Sequence, residues 1–170
     1  MKFASLVTPH WFVESVLELD APWLRARGLE ALLLDVDCTL KRYPETAVGP
    51  AVTQWLAELQ AAGMKLCLLS NGRGERIRGI AAQLKLPFVA NAIKPFPCGC
   101  RRAMHELGVR PAQTAFVGDQ IFADVIAARL AGVTSILVRP MNPEDEPWFT
   151  RLKRPAERWL LRRIRPESHS

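Results

Sequence analysis

The run from Glu30 to Leu40, Glu-Ala-Leu-Leu-Leu-Asp-Val-Asp-Cys-Thr-Leu, constrains this chain more than any other segment. Ala31 to Leu34 are apolar without interruption, the pattern of a strand buried on both faces of a parallel sheet. Two acids follow at i and i+2, and a hydroxyl at i+4. The chain must leave the sheet here, so Asp35, Asp37 and Thr39 gather at the carboxyl end of the strand, where open α/β sheets bind ligands. Carboxylates this close repel unless a cation lies between them or one keeps its proton. A hard cation such as Mg²⁺ takes oxygen ligands and commonly works on phosphate. The plainer alternative is a turn and a helix cap after a strand.

The remaining pattern repeats this strand-then-helix alternation. A helix is predicted from about Pro50 to Ala62, with Val52, Trp55, Leu56 and Leu59 as its inner stripe. Lys65 to Leu69 reads as the second strand, ending in Ser70-Asn71-Gly72, and a helix follows from Arg73 to Leu84. Pro87 to Ala90 is a short third strand leading to Lys94-Pro95-Phe96-Pro97, and a helix spans Cys98 to Leu107. Thr114 to Val117 is the fourth strand, running into Gly118-Asp119 and a helix that reaches Leu130. Thr134 to Val138 is the fifth. The expectation is an α/β fold with a doubly wound, five-stranded parallel sheet of Rossmann type and helical extensions at both ends. Its divisions are 1–28 for an N-terminal helical arm, 29–140 for the core and 141–170 for a basic tail.

In the arm, Thr8-Pro9 signals a helix start, with Phe12, Val16 and Leu19 on one face and Trp11, Val13 and Leu17 widening it. Asp20-Ala21-Pro22 reads as a second cap, with Gly28 as its stop. Charge is concentrated at the other end. Residues 151–165 hold seven of the 23 Lys/Arg and one of the 17 acids, which is the whole formal excess of six. A tail helix from Pro155 would place Ala156, Trp159, Leu160 and Ile164 on one face and Arg158, Arg162 and Arg165 away from it. That pattern suits an anionic membrane surface or simple packing on the core. RNA phosphates would suit the charge, but the tail lacks an aromatic stacking platform, so no nucleic acid is expected.

No run approaches the roughly 20 apolar residues of a membrane span, and the N-terminus has no secretory apolar core. A cytoplasmic protein is expected, with peripheral attachment at the inner membrane face as the possibility raised by the tail. The four cysteines make no disulfide framework. Cys98-Gly99-Cys100 with His105 lacks zinc-site spacing and reads as a loop entering a helix.

Four strand ends therefore carry Asp35/Asp37/Thr39, Ser70, Lys94 and Asp119 with Asp124, in that order. Singly each has a dull reading as turn, solvated lysine or helix cap. In order they resemble the four motifs of the haloacid dehalogenase phosphohydrolase superfamily: Asp-x-Asp-x-Thr, a strand-end Ser, Lys, and Gly-Asp-x₄-Asp. Leu-Val-Thr-Pro-His-Trp-Phe, Ser-Asn-Gly, Lys-Pro-Phe-Pro and Gly-Asp-Gln-x₃-Asp-Val further resemble the YqeG-type branch of subfamily IIIA, which includes phosphatidylglycerophosphate phosphatases of mitochondria and plastids. Cys38 departs from the Asn or Gly more usual there, and little consequence is expected.

The resemblance implies Asp35 as nucleophile forming an aspartyl-phosphate, Asp37 as general acid and base, and a catalytic Lys94. Thr39, Ser70, Asn71 and Lys94 would grip the phosphoryl oxygens. Mg²⁺ would be held by Asp35, the Asp37 carbonyl and Asp119, with Asp124 behind them. Only about ten residues separate Thr39 from the next helix, and Lys94 follows Ser70 by 24, with core elements filling both intervals. The chain is therefore expected to lack a cap domain. An open site suits a phosphate carried on something large. The implied substrate is phosphatidylglycerophosphate. The alternatives are another bulky or soluble phosphomonoester, or a non-catalytic adaptor at a membrane or RNA.

Overall fold

The structure is a computed structural model that describes residues 3–72, 74–146, 148–163 and 167–168. Its strands are β1 (Trp11–Val13), β2 (Ala31–Leu34), β3 (Lys65–Leu69), β4 (Phe88–Val89), β5 (Thr114–Gly118), β6 (Thr134–Val138) and β7 (Glu167–Ser168). They form one sheet in the order β4-β3-β2-β5-β6-β1-β7, with every pairing parallel. The strand order reverses between β2 and β5, whose Leu34 and Val117 are in register. Asp35 and Asp119 leave the sheet side by side at that switch point, where α/β sheets open a crevice.

Pleating sends successive strand residues to opposite faces. Leu32, Leu34, Leu66, Leu68 and Val117 face α3 (Pro50–Ala61) and α4 (Gly74–Leu84), whose Val52, Trp55, Leu56, Leu59, Ile77 and Ile80 complete that layer. Leu33, Cys67, Leu69 and Phe116 face α5 (Cys98–Leu107) and, through Ala127 and Ala128, α6 (Ile126–Ala131). The helix expected from residue 73 is described from Gly74, since residue 73 lies outside the described residues. Among the described residues, only α4 and β4 occupy the interval from Ser70 to Lys94, and no domain is inserted before α3. The fold is capless.

Two expectations are corrected. The chain forms a helix before Thr8 instead of after it: α1 (Phe3–Val7) precedes β1, which pairs with β6 from Trp11↔Ile136 to Val13↔Val138. Val13, Val16 and Leu19 are buried, and this spacing mimics helical periodicity. However, the exposed backbone edge of β6 supplies hydrogen-bond partners that a helix would leave unused. The sheet thus has seven strands, the extra pair being β1 and β7 at the same edge. The short helix after Asp20 does form, as α2 (Ala21–Ala26), with the Asp20 carboxylate accepting from Trp23 N–H at 2.7 Å.

The tail is helical in α7 (Trp148–Arg151) and α8 (Arg154–Leu161), but its inward face is not the predicted one. Arg154 and Glu157 are buried, and Leu160 and Leu161 pack on Val7, Ile121, Val125 and Leu137. Trp159 and Ala156 point outward, while Ile164 and Arg165 lie outside the described residues. An ion-pair network rotates the helix, as the site makes clear. Among the described residues no helix is long and apolar enough to cross a membrane.

Candidate active site

Asp35 follows β2 directly, and its N–H donates to Val117 O at 2.9 Å, extending the ladder by one bond. Thr39 then returns: its Oγ1 lies 3.1 Å from Asp35 Oδ2 and 3.3 Å from Asp119 Oδ1. One hydroxyl proton serves these two acceptors, so a second carboxylate oxygen always faces the site without it. The turn that brings Thr39 back passes through Cys38 at φ +64°, a conformation that costs an L-residue with a Cβ. Asn or Gly would adopt this conformation at lower cost. Burial raises the Cys38 thiol pKa, reinforced by neighbouring Asp119 and Glu146, so it sits there protonated.

Lys94 is the pivot. Its ammonium contacts Asp35 Oδ1, lies 2.8 Å from Asp124 Oδ1 and is 5.4 Å from the Phe116 ring centroid. Burial pulls its pKa down, but the attraction of Asp124 and Asp35 outweighs this and holds it charged. Asn71 is what aims it. The Asn71 amide donates to Lys94 O at 3.1 Å and accepts from Lys94 N–H at 2.8 Å, fixing the lysine backbone from the end of β3. Ser70 is buried beside it, its Oγ accepting from Gly72 N–H at 3.0 Å and keeping its own proton to donate. Gly99 lets α5 start against this loop, because a Cβ there would lie 2.7 Å from Ala92 Cβ and 2.8 Å from Ala92 O. Cys98 opens that helix and Cys100 faces the core.

The Gly-Asp-x₄-Asp spacing has a steric logic. A Cβ on Gly118 would sit 2.5 Å from the Asp124 carboxyl carbon, so only glycine leaves room for that side chain. Ile121–Val125 form a single wide π-helical turn that swings Asp124 back under the site, a device frequent at functional positions. Its Oδ2 accepts from Gln120 N–H at 2.9 Å. Asp35, Asp119 and Asp124 are all buried and present ligand oxygens within 4.8 Å of one another. Burial drives the Asp35 pKa up to about 6, against the pull of Lys94 and with Asp124 and Asp37 adding to the rise. Burial likewise raises Asp119 well above the carboxylate range, against Arg154. Three buried carboxylates gathered this closely fit a hard divalent cation.

Sequence reasoning missed several residues around this set. Lys41, with 1% of its surface exposed, donates to Asp37 Oδ1 at 2.8 Å and to the Arg42 and Tyr43 carbonyls at 3.0 and 3.2 Å. Arg76 from α4 holds the other Asp37 oxygen. Lys41 carries a detectable signal, a cation four residues after an acid. Arg154, in contrast, was one cation in a basic run. It bonds Asp119, Glu146 and Glu157, and Glu157 in turn accepts from Phe122 N–H at 3.1 Å in the π turn. This network, not an apolar stripe, sets the face of α8.

A haloacid dehalogenase-like hydrolase family model matches residues 4–132. The chain is 27% identical over 161 residues to "Probable phosphatase YqeG" of Bacillus subtilis, covering 95% of this chain and 93% of the relative. It is 23% identical over 185 residues to "Phosphatidylglycerophosphate phosphatase 1, chloroplastic/mitochondrial" of Arabidopsis thaliana, covering 100% of this chain but 53% of that protein. Among solved structures, the deoxy-D-mannose-octulosonate 8-phosphate phosphatase of Haemophilus influenzae superposes with a TM-score of 0.55 at 19% identity, over 66% of this chain and 69% of that one.

Proposed function

The chain belongs to the haloacid dehalogenase-like hydrolase family and is an enzyme of its phosphatase type; on that premise we propose that it hydrolyses a lipid phosphomonoester, phosphatidylglycerophosphate, with Mg²⁺. The observation that carries the chemistry is the convergence of Asp35, Lys94, Asp119 and Asp124 at one switch point, with Asp37 beside them. Asp35 attacks phosphorus as the bond to the leaving oxygen breaks, and Asp37 gives that oxygen its proton. Asp37 then takes a proton from the water that attacks the aspartyl-phosphate, which restores the Asp35 carboxylate and frees inorganic phosphate. Thr39, Ser70, Lys94 and the second amide proton of Asn71 are the donors for the phosphoryl oxygens. Asp35, the Asp37 carbonyl and Asp119 would hold Mg²⁺, with Asp124 supporting them, and the ion would offset charge on the transferring group.

For a lipid substrate the supporting observation is the surface next to the site. A cavity of about 810 Å³ between the tail helices and the end of β6 has Asp119 and Arg154 in its wall, Phe12, Leu137 and Leu161 inside it, and Arg151 among its lining residues. Trp148 and Trp159 are exposed on the same two helices, and Leu152 is exposed in the turn between them. Aromatic and basic groups together suit an anionic membrane face, where a capless site could reach a headgroup.

The test is Mg²⁺-dependent phosphate release from phosphatidylglycerophosphate in mixed micelles, against soluble phosphomonoesters, for the intact chain and Asp35→Asn. Preference for the lipid, abolished in the variant, is the expected result. Turnover of soluble esters alone would keep the mechanism and discard the lipid, and near-normal turnover in Asp35→Asn would refute the nucleophile. Silence on every ester would favour the adaptor. Membrane attachment is tested with Trp148→Ser/Trp159→Ser, which should lose retention on vesicles of phosphatidylglycerol and phosphatidylcholine. Truncating the tail would be a poor substitute, because Arg154 would go with it.

A further inference from the structure

We infer that α8 is part of the metal-holding end of the site, with Arg154 as the positioning residue for Asp119. The inference rests on the divalent-metal reading above. Arg154 is nine-tenths buried, and its guanidinium has five N–H donors with no freedom to rotate among them. All five have an acceptor. Nε donates to Glu146 Oε2 at 3.0 Å, and Nη1 to Asp119 O at 2.7 Å and to Glu157 Oε2 at 3.1 Å. Nη2 reaches the carboxylates of Asp119, through Oδ2, and of Glu146. Glu146 and Glu157 belong to the same tail as Arg154, so Asp119 is the residue through which the guanidinium grips the core. The fork takes both the carboxylate and the backbone carbonyl of Asp119, which fixes that residue at two points.

The consequence is directional. With Oδ2 held by Arg154, Oδ1 is the Asp119 oxygen turned towards Thr39 and, through it, Asp35. The tail also grips the other half of the site: Met141 N–H donates to Cys38 O at 2.7 Å, and Arg42 pairs with Asp145 at 2.6 Å. Residues 141–157 thus bridge the loop after β2 and the loop after β5, whose spacing sets the distance between Asp35 and Asp119. A lysine at 154 would keep the charge but, with a single nitrogen, could not span the Asp119 carboxylate, its carbonyl and Glu146 together.

Orientation and charge predict opposite outcomes, which makes the inference testable without turnover. The full chain, Arg154→Lys, Arg154→Met and the exposed control Arg162→Met are titrated with Mn²⁺ by electron paramagnetic resonance and with Mg²⁺ by calorimetry, without substrate. Unfolding midpoints are recorded in EDTA. Removing a partner that orients a ligand typically weakens metal affinity about 10- to 100-fold, and Arg154→Lys should fall in that range. Its turnover should recover as Mg²⁺ is raised, while Arg162→Met binds metal as the unaltered chain does. Metal affinity in Arg154→Lys equal to that of the unaltered chain would overturn the inference, as would tighter binding in Arg154→Met, the result expected if Arg154 only added positive charge. If Arg154→Met does not fold, Arg154→Lys decides. Absence of Mn²⁺ and Mg²⁺ binding by the unaltered chain would remove the metal reading itself, and this inference with it.

Discussion

Replacing Lys94 by methionine should destabilise the metal-free protein strongly, and more so at pH 8 than at pH 5. The side chains of Lys94, Asp35 and Asp124 are 5%, 8% and 2% exposed, so the ammonium is shared by two carboxylates almost out of water. Methionine matches the lysine stem but leaves both acids without a cation. Removing one partner of a buried pair costs about 3–5 kcal/mol, a large share of the roughly 5–15 kcal/mol by which domains are stable. The pH dependence follows from Asp35. Its folded pKa is about 6, against an ordinary 3.8, because burial raises it more than Lys94 lowers it. The folded state therefore binds that proton more tightly than the unfolded one, and stability falls as pH rises from about 4 through about 6. Without Lys94 the folded value climbs further, the loss extends to higher pH, and protonation near pH 5 relieves part of it. Urea unfolding in EDTA at both pH values measures the effect. Lys94→Met/Asp124→Asn should regain part of the loss, because one of the two stranded charges is gone, and the double-mutant cycle reports the coupling. A Lys94→Met protein as stable as the original at pH 8 would refute the reasoning.

Gly118→Ala should reduce turnover by about 10²-fold, the scale of a 1 Å misplacement in an active site, because the new methyl displaces Asp124 and frees Lys94. Steady-state assays at saturating Mg²⁺ check it, and full activity would mean that Asp124 can move without consequence. Mg²⁺ affinity should weaken on acidification below about pH 6, where Asp35 takes up its proton and stops offering a charged ligand. Calorimetric titrations at several pH values measure this, and affinity that stays level from pH 7 to pH 5 would contradict it.

The parallel sheet and its site-bearing edge were legible because each depends on short stretches of chain. Ala31–Leu34, Lys65–Leu69 and Thr134–Val138 are apolar enough to demand burial on both faces, and the residue that follows each must appear at the sheet edge. Asp35, Ser70 and, after Thr114–Gly118, Asp119 are therefore placed by their strands, whereas Lys94 lies five residues past Val89 and is held by Asn71. The same reasoning failed at Trp11–Val13, where Val13, Val16 and Leu19 satisfy a helical period. A three-residue strand has too little length for alternation to show, and its conformation is decided by the free edge of β6, more than 120 residues away in sequence. The π turn at Ile121–Val125 likewise reads as ordinary helix, since the return of Asp124 to the Gln120 N–H and to the space beside Gly118 is a contact that no periodicity records.

The sequence by itself determined the fold class, the order of the strand-end chemistry and the absence of a cap domain, because periodicity, glycine positions and interval lengths are properties of neighbours along the chain. Tertiary structure alone decided what surrounds the acids. Asn71 aims Lys94 across 23 residues, Arg76 holds Asp37 across 39, and Arg154 holds Asp119 across 35. Composition ranks Arg154 with the other cations of a basic tail. It differs from them only because α8 docks with that side chain beneath the sheet edge. There the buried carboxylate of Asp119 must be matched by a cation, and no local pattern records which one arrives.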